Sequence, residues 1–166
     1  MIAKGVVVDS VQQERIKTIT GDITKITKGI ICHQVNCMGK MGAGVALAIR
    51  KQWPIVYNEY IKTFQLNNLQ LGRIFITTIM DQLFVVNLCG QYRYGRNQKQ
   101  TNYDAVHMCL EKLNQEIIKH NMTLDVMFPY KMGCNLAGGN WNIMKTIISE
   151  TITNNNILIV KQKGTK

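Results

Sequence analysis

Gly29-Ile30-Ile31-Cys32-His33-Gln34-Val35 runs directly into Asn36-Cys37-Met38-Gly39-Lys40-Met41-Gly42-Ala43-Gly44, and Val45-Ala46-Leu47-Ala48-Ile49-Arg50 follows. A β-branched apolar run opened by a glycine leads to a glycine-rich loop and then to a segment of helix formers. The stretch reads as strand, loop, helix. Glycine tolerates positive φ and lets backbone N–H groups approach a ligand closely. The start of the next helix adds orphan donors and a partial positive charge, which suits phosphate.

The same alternation runs along the rest of the chain. Ile16 to Thr20, Ile74 to Met80, Leu83 to Leu88, Asp125 to Phe128 and Asn156 to Val160 read as further strands, with Asp81-Gln82 as a hairpin turn. Val106, Leu110, Leu113 and Ile117 share one helical face, as do Trp141, Met144, Ile148 and Ile152 behind a capping Asn140. Gly44 to Lys51 and Pro54 to Phe64 read as shorter helices, the second with proline in its first turn. The expected class is α/β, with a mixed, mostly parallel central sheet covered on both faces by helices. Ligands of such sheets bind beyond the carboxyl ends of the strands.

A second glycine loop, Gly133-Cys134-Asn135-Leu136-Ala137-Gly138-Gly139-Asn140, lies between a strand and a helix like the first. Neither is a standard nucleotide motif. No Walker A lysine is present, and Gly39, Gly42 and Gly44 reverse the dinucleotide spacing. Two such loops at one end of one sheet would suit a diphosphate.

Composition sets the outer limits. The chain has 166 residues, 46% of them hydrophobic, and only two prolines, which fits a single globular domain and excludes a disordered or fibrous chain. No apolar run is long enough to span a membrane and no signal segment opens the chain, so a cytoplasmic protein without membrane attachment is expected. Five cysteines without a C-x-x-C pair argue against a disulfide framework and read as buried thiols. His33 and Cys37 lack further ligands at metal spacing, so neither a metal nor a cofactor is expected. The net charge of +10 fits an anionic partner, although abundant Lys, Asn and Ile are also what an A/T-rich genome encodes.

Three separated motifs then carry a resemblance. Ile19-Thr20-Gly21-Asp22-Ile23-Thr24, the stretch from His33 through Gly44 to Ile49, and Pro129 through Gly139 to Trp141 resemble the macro domain family. The branch they look most like contains ADP-ribose-1''-phosphate phosphatases and terminal ADP-ribose-glutamate hydrolases. The resemblance covers residues 16–161, leaving residues 1–15 as an N-terminal extension and residues 162–166 as a tail. It implies the three-layer α/β/α macro-domain fold and a monomer.

It also implies roles. Asp22 would accept a hydrogen bond from the adenine amine, with the Ile23 N–H beside it. Gly42, Ala43 and Gly44 would cradle one phosphate and the distal ribose. Gly133, Cys134, Asn135, Leu136, Ala137 and Gly138 would wrap the other phosphate. Asn36 would position the distal ribose and His33 would do the acid–base or nucleophilic work. Gln91, in the loop Cys89 to Lys99, would join the ligand contacts. In that loop Arg93 or Arg96 could hold a terminal phosphate and a tyrosine could cover the ribose.

Plainer readings stand beside these. Asp22 could be an N-cap, Asn36 could bond its own loop, Trp141 could be core, and His33 could be a satisfied strand histidine. The chain also departs from the glutamate-directed hydrolases. It has no lysine in the loop after the hairpin before Lys99, and Ala137 stands where their aspartate would be.

The expected function is therefore binding of ADP-ribose with hydrolysis of ADP-ribose-1''-phosphate to ADP-ribose and phosphate. A non-catalytic ADP-ribose reader and a hydrolase acting on ADP-ribosylated protein are the alternatives. Nucleic acid is not expected as the primary partner, since no recognition helix or aromatic stacking platform is evident.

Overall fold

Val85, Val86, Leu88, Ile30 and Ile31 lose nearly all their accessible surface, because the strands that carry them are covered on both faces. The computed structural model of the chain describes residues 15–166. Most of the N-terminal extension, residues 1–14, lies outside the described residues.

Six strands form one sheet in the order β1-β6-β5-β2-β4-β3. They are β1 (Ile16–Thr20), β2 (Gly29–Val35), β3 (Ile74–Met80), β4 (Leu83–Cys89), β5 (Val126–Pro129) and β6 (Ile157–Lys161). All neighbouring pairs are parallel except β3 with β4, so the sheet is mixed and mostly parallel. The β3–β4 turn places Gln82 at φ 62°, a left-handed residue where glycine or asparagine is commoner. Strands β5 and β6 begin one residue later than their apolar runs suggest. Asp125 donates no side chain to the core but its carbonyl accepts the Ile30 N–H at 2.9 Å, at the very edge of the ladder.

Side chains alternate along each strand and build two cores. Ile30, Cys32, Val86 and Leu88 meet α3 (Tyr103–Lys119) and α4 (Trp141–Thr151) on one face. Ile31, Val35, Val85 and Cys89 meet α1 (Gly44–Gln52) and α2 (Ile55–Gln65) on the other. Three layers result, as expected. The α3 face read from the sequence is the buried one, and Asn102 caps its start by accepting the Ala105 N–H at 2.9 Å. Asn140 caps α4 in the same way. At the far end of α4, Arg15 Nη1 donates to the carbonyls of Ile152 and Asn155, each at 2.7 Å, satisfying groups the helix cannot. All five thiols are free and four of them are buried. Among the described residues no helix is long and apolar enough to cross a membrane.

Strand β2 lies between β4 and β5, parallel to both, so the three end on the same side. The loops that leave them therefore converge over the middle of the sheet, and that is where the site lies.

Candidate functional site

The first loop is held open by Asn36. Its Oδ1 accepts the N–H groups of Met38 at 2.9 Å and Lys40 at 3.2 Å, and its Nδ2 donates to the Lys40 carbonyl at 2.7 Å. The Tyr60 hydroxyl donates to both the backbone and the side-chain oxygen of Asn36, at 2.9 Å each. Burial pushes the Tyr60 phenol well above its ordinary range, so it stays a donor. Asn36 lines the cleft, but its oxygen is fully engaged in shaping the loop.

The loop delivers the chain to α1 without a side-chain cap. Ala43 occupies the N-cap position in extended conformation, and Gly44 follows at φ 58°. A serine or aspartate at the cap would have satisfied the first N–H groups internally. Here they face a cleft of about 510 Å³, a size suited to a small-molecule ligand, which Gly42, Ala43, Gly44, Val45 and Ala46 all line.

The second loop forms the opposite wall. Gly133 at φ 72° and Gly138 at φ 70° let it curl, and the Gly139 N–H returns to the Gly133 carbonyl at 2.8 Å. Among the described residues no hydrogen bond engages the N–H groups of Asn135, Leu136 or Ala137, and all three residues line the cleft. A polar crossing ties this loop to the strands. Gln34 Nε2 donates to Gln91 Oε1 and Thr101 Oγ1, both at 2.9 Å, while Thr101 Oγ1 donates to the Gly133 carbonyl at 2.6 Å. Gln91 thus stands in the cleft wall as part of a network that sets the height of three loops.

His33 lies at the base of the cleft and is almost fully buried, at 1% exposure. Parallel pairing of β2 with β4 puts Asn87 directly beside it. Asn87 Nδ2 donates to the Val56 carbonyl at 3.1 Å, so its Oδ1 faces the ring and accepts from His33 Nε2 at 2.5 Å. The proton is thereby assigned to Nε2, and Nδ1 is left as a buried lone pair with no partner among the described residues. Burial lowers the His33 pKa to about 4, against the opposing effect of the Asn87 hydrogen bond. The imidazole is neutral at pH 7.

Three cations, Lys40, Arg96 and Lys131, line the same cleft, and among the described residues no Asp or Glu does. Tyr94 and Gly95, from the loop after β4, close one end beside Arg96. Lys40, Lys131, Gln34 and Asn87 are site residues that sequence reasoning missed. The two lysines sit in loops and look like ordinary surface charges, and the two amides become visible only once the strands are paired.

Several expected residues sit elsewhere. Asp22 and Ile23 do not line the cleft. Asp22 caps a single 3₁₀ turn at Ile23–Lys25, with Oδ1 accepting the Thr24 N–H at 2.9 Å and the Thr24 hydroxyl at 2.7 Å. Those bonds hold its carboxyl below the usual carboxylate range, and Oδ2 has no partner among the described residues. Cys134 points its thiol at the Met132 carbonyl at 3.2 Å and is absent from the lining, and Gly138 lines an adjoining depression instead. Ala137 is buried, and its carbonyl accepts the N–H groups of Gln100 and Thr101. Trp141 meets Tyr130 edge-on at 5.6 Å, a packing contact.

Comparison with known proteins shows the family and the fold. The family model described as Macro domain matches residues 32–148. A solved structure of a protein from Bacteroides thetaiotaomicron is 30% identical, with a TM-score of 0.76, covering 87% of this chain and 97% of that one. A structure of Thermosipho africanus DarTG in complex with ADP-ribose shares the fold at a TM-score of 0.71 and 17% identity, covering 90% of this chain and 43% of that one. The DNA ADP-ribosyl glycohydrolase of Thermus aquaticus is 31% identical over 61 residues, which are 37% of this chain and 17% of that protein.

Proposed function

The chain belongs to the macro domain family, and from that premise we propose that it binds ADP-ribose in the cleft and hydrolyses ADP-ribose-1''-phosphate there. One observation carries the binding half. Two glycine loops and an uncapped helix N-terminus face each other across a cleft that holds three cations and, among the described residues, no carboxylate. Unpaired N–H groups on both walls match the oxygens of a diphosphate, and a carboxylate lining would have repelled them.

The chemical half rests on His33. Its neutral ring, held by Asn87, offers the Nδ1 lone pair as a base. In the proposed step Nδ1 takes a proton from water while the water oxygen bonds to phosphorus. The bond from phosphorus to the C1'' oxygen breaks, and the imidazolium returns the proton to that oxygen. ADP-ribose and inorganic phosphate leave. Lys40 and Arg96 counter the phosphate charge, and Asn36 acts by keeping the loop in shape. The glutamate-directed route needs an aspartate beside its lysine, and among the described residues no aspartate lines the cleft.

A second reading has its own support in the match to a DNA ADP-ribosyl glycohydrolase. On that reading the cleft takes the same ADP-ribose moiety while the group on C1'' is a nucleic-acid strand.

The test measures phosphate release from ADP-ribose-1''-phosphate and, in parallel, ADP-ribose release from an ADP-ribosylated single-stranded oligonucleotide. His33→Gln keeps a donor for Asn87 but has no imidazole, and it should lose at least tenfold in turnover while binding ADP-ribose within a few-fold of the parent. Micromolar ADP-ribose binding without turnover of either substrate would leave a reader, not an enzyme.

Adenine recognition is testable separately. Asp22→Asn retains an acceptor for Thr24 but turns Oδ2 into a donor facing the adenine amine. Calorimetry should show ADP-ribose binding weakened at least tenfold, about 1.4 kcal/mol. Unchanged affinity would remove Asp22 from the site and leave it as the cap of its turn.

A further inference from the structure

Beside the main cleft lies a second depression of about 510 Å³, lined by Arg96, Gln98, Lys99, Asn135, Leu136 and Gly138. Arg96, Asn135 and Leu136 line both cavities, so the two are continuous across one wall. Of the shared wall, Arg96 comes from the loop after β4 and Asn135 and Leu136 from the second glycine loop, and the reading above sets Arg96 against the phosphate on C1''. Whatever is attached at C1'' has this depression as its next neighbour.

The backbone seam beneath the depression is tied down. Gln100 and Thr101 donate their N–H groups to the Ala137 carbonyl at 2.8 and 3.2 Å, which zips the loop after β4 to the second glycine loop. Gly138 adopts φ 70° on that seam, and a Cβ there would lie 3.3 Å from the Lys99 Cα. The Lys99 ammonium sits 4.6 Å from the centroid of the Tyr103 ring, and the Tyr103 hydroxyl accepts the Asn140 N–H at 2.8 Å. The ring gives the exposed lysine a preferred position at the rim of the depression. Arg96 lines the same depression, Gln98 adds an amide, and among the described residues no carboxylate lines the space.

We propose that this depression is a phosphate subsite, which takes a phosphate carried beyond the distal ribose by the substrate. The proposal rests on the ADP-ribose reading of the main cleft. Two sources supply the same chemistry: the 1''-phosphate itself, or a backbone phosphate of a strand that carries ADP-ribose. An arginine and a lysine lining one depression without a competing carboxylate suit a phosphate of either origin. The main cleft already has N–H donors for the diphosphate, so these two cations are not needed for ADP-ribose alone.

Lys99 and Gln98 line only the second cavity, and they separate the subsite from the cleft. Lys99→Glu and Gln98→Glu are compared with the parent by titration with ADP-ribose, ADP-ribose-1''-phosphate, and a short single-stranded oligonucleotide carrying ADP-ribose. All are made in the His33→Gln background so that the ligands persist, and circular dichroism checks the fold. The expected result is about tenfold weaker binding of a phosphate-extended ligand, with ADP-ribose affinity within twofold. Loss confined to ADP-ribose-1''-phosphate identifies the small molecule as the source, and loss confined to the oligonucleotide identifies the strand. Equal weakening of ADP-ribose, or no change for either extended ligand, overturns the subsite. Failure of the parent to bind ADP-ribose at all overturns the reading of the main cleft and the subsite with it.

Discussion

Gly133→Ala is expected to destabilise the fold by about 2–5 kcal/mol and to abolish ligand binding, measured by denaturant titration and calorimetry. Gly133 sits at φ 72°, where an L side chain costs about 1–2 kcal/mol. A Cβ would also lie 2.6 Å from Gln34 Oε1, 2.9 Å from Met144 Cε and 3.0 Å from Thr101 Oγ1. Met144 can swing aside. Gln34 and Thr101 cannot move without breaking the bonds that join β2, the loop after β4 and the second glycine loop. The overpacking adds roughly 1–3 kcal/mol, and the loop that lines one wall of the cleft has to move. Gly21→Ala is the control: its φ is not positive and nothing lies within 4 Å of the added Cβ. That change should be close to neutral or slightly stabilising. If both substitutions leave the midpoint unchanged, the crossing at Gln34 does not hold the loops together.

The comparison also separates glycines with open space around them from glycines whose missing side chain makes room for a neighbour. Gly42 has open space around it and lines the cleft, so its lack of a side chain keeps the cleft wall open. Gly39 and Gly133 serve packing, since a Cβ on Gly39 would lie 2.6 Å from the Phe64 ring. Counting glycines in the sequence cannot separate these cases, because the clashing atoms come from elements far along the chain.

That distance along the chain marks the limit of what the sequence tells. Strands β1, β2 and β3 occupy the same residues as their β-branched runs: β2 is buried on both faces and needs apolar side chains almost throughout, while the edge strands β1 and β3 are marked by β-branched residues that suit extended backbone. Helix faces were legible for the same reason, through their period. The two loops were legible as ligand walls because glycine, helix start and strand end are all local features. The His33–Asn87 pair was not, since it depends on the register between β2 and β4, and nothing local to either residue reveals its partner. Lys40 and Lys131 were hidden differently. A lysine carries the same letter whether it faces water or lines a cleft, and only loop curvature decides.

His33 should make the protein acid-sensitive in a defined window. Its folded pKa is lowered by burial to about 4, whereas an unfolded histidine titrates near 6.5. Below pH 6.5 the unfolded chain takes up a proton that the folded chain refuses until about pH 4. Stability therefore falls as pH drops through that interval and flattens below it for this group, by about 3 kcal/mol at most. Asp22, whose carboxyl is held low by Thr24, acts in a separate window: its contribution is present above the ordinary carboxylate range and is lost as pH falls through its lowered pKa. Subtracting the denaturation profile of His33→Gln from that of the parent isolates the imidazole. The difference should be flat from pH 8 to 7 and should slope between 6.5 and 4. A flat difference throughout would mean that the ring is solvated and titrates normally. Asn87→Asp provides the converse, because a carboxylate beside Nε2–H stabilises the imidazolium and should raise the His33 pKa, read directly from its ring carbon shifts by NMR. For turnover the same numbers imply that the parent keeps its base form well below pH 6.5, so the acid limb of kcat/KM should fall closer to pH 4. With Asn87→Asp that limb should move toward neutrality, a displacement that loss of packing alone would not produce.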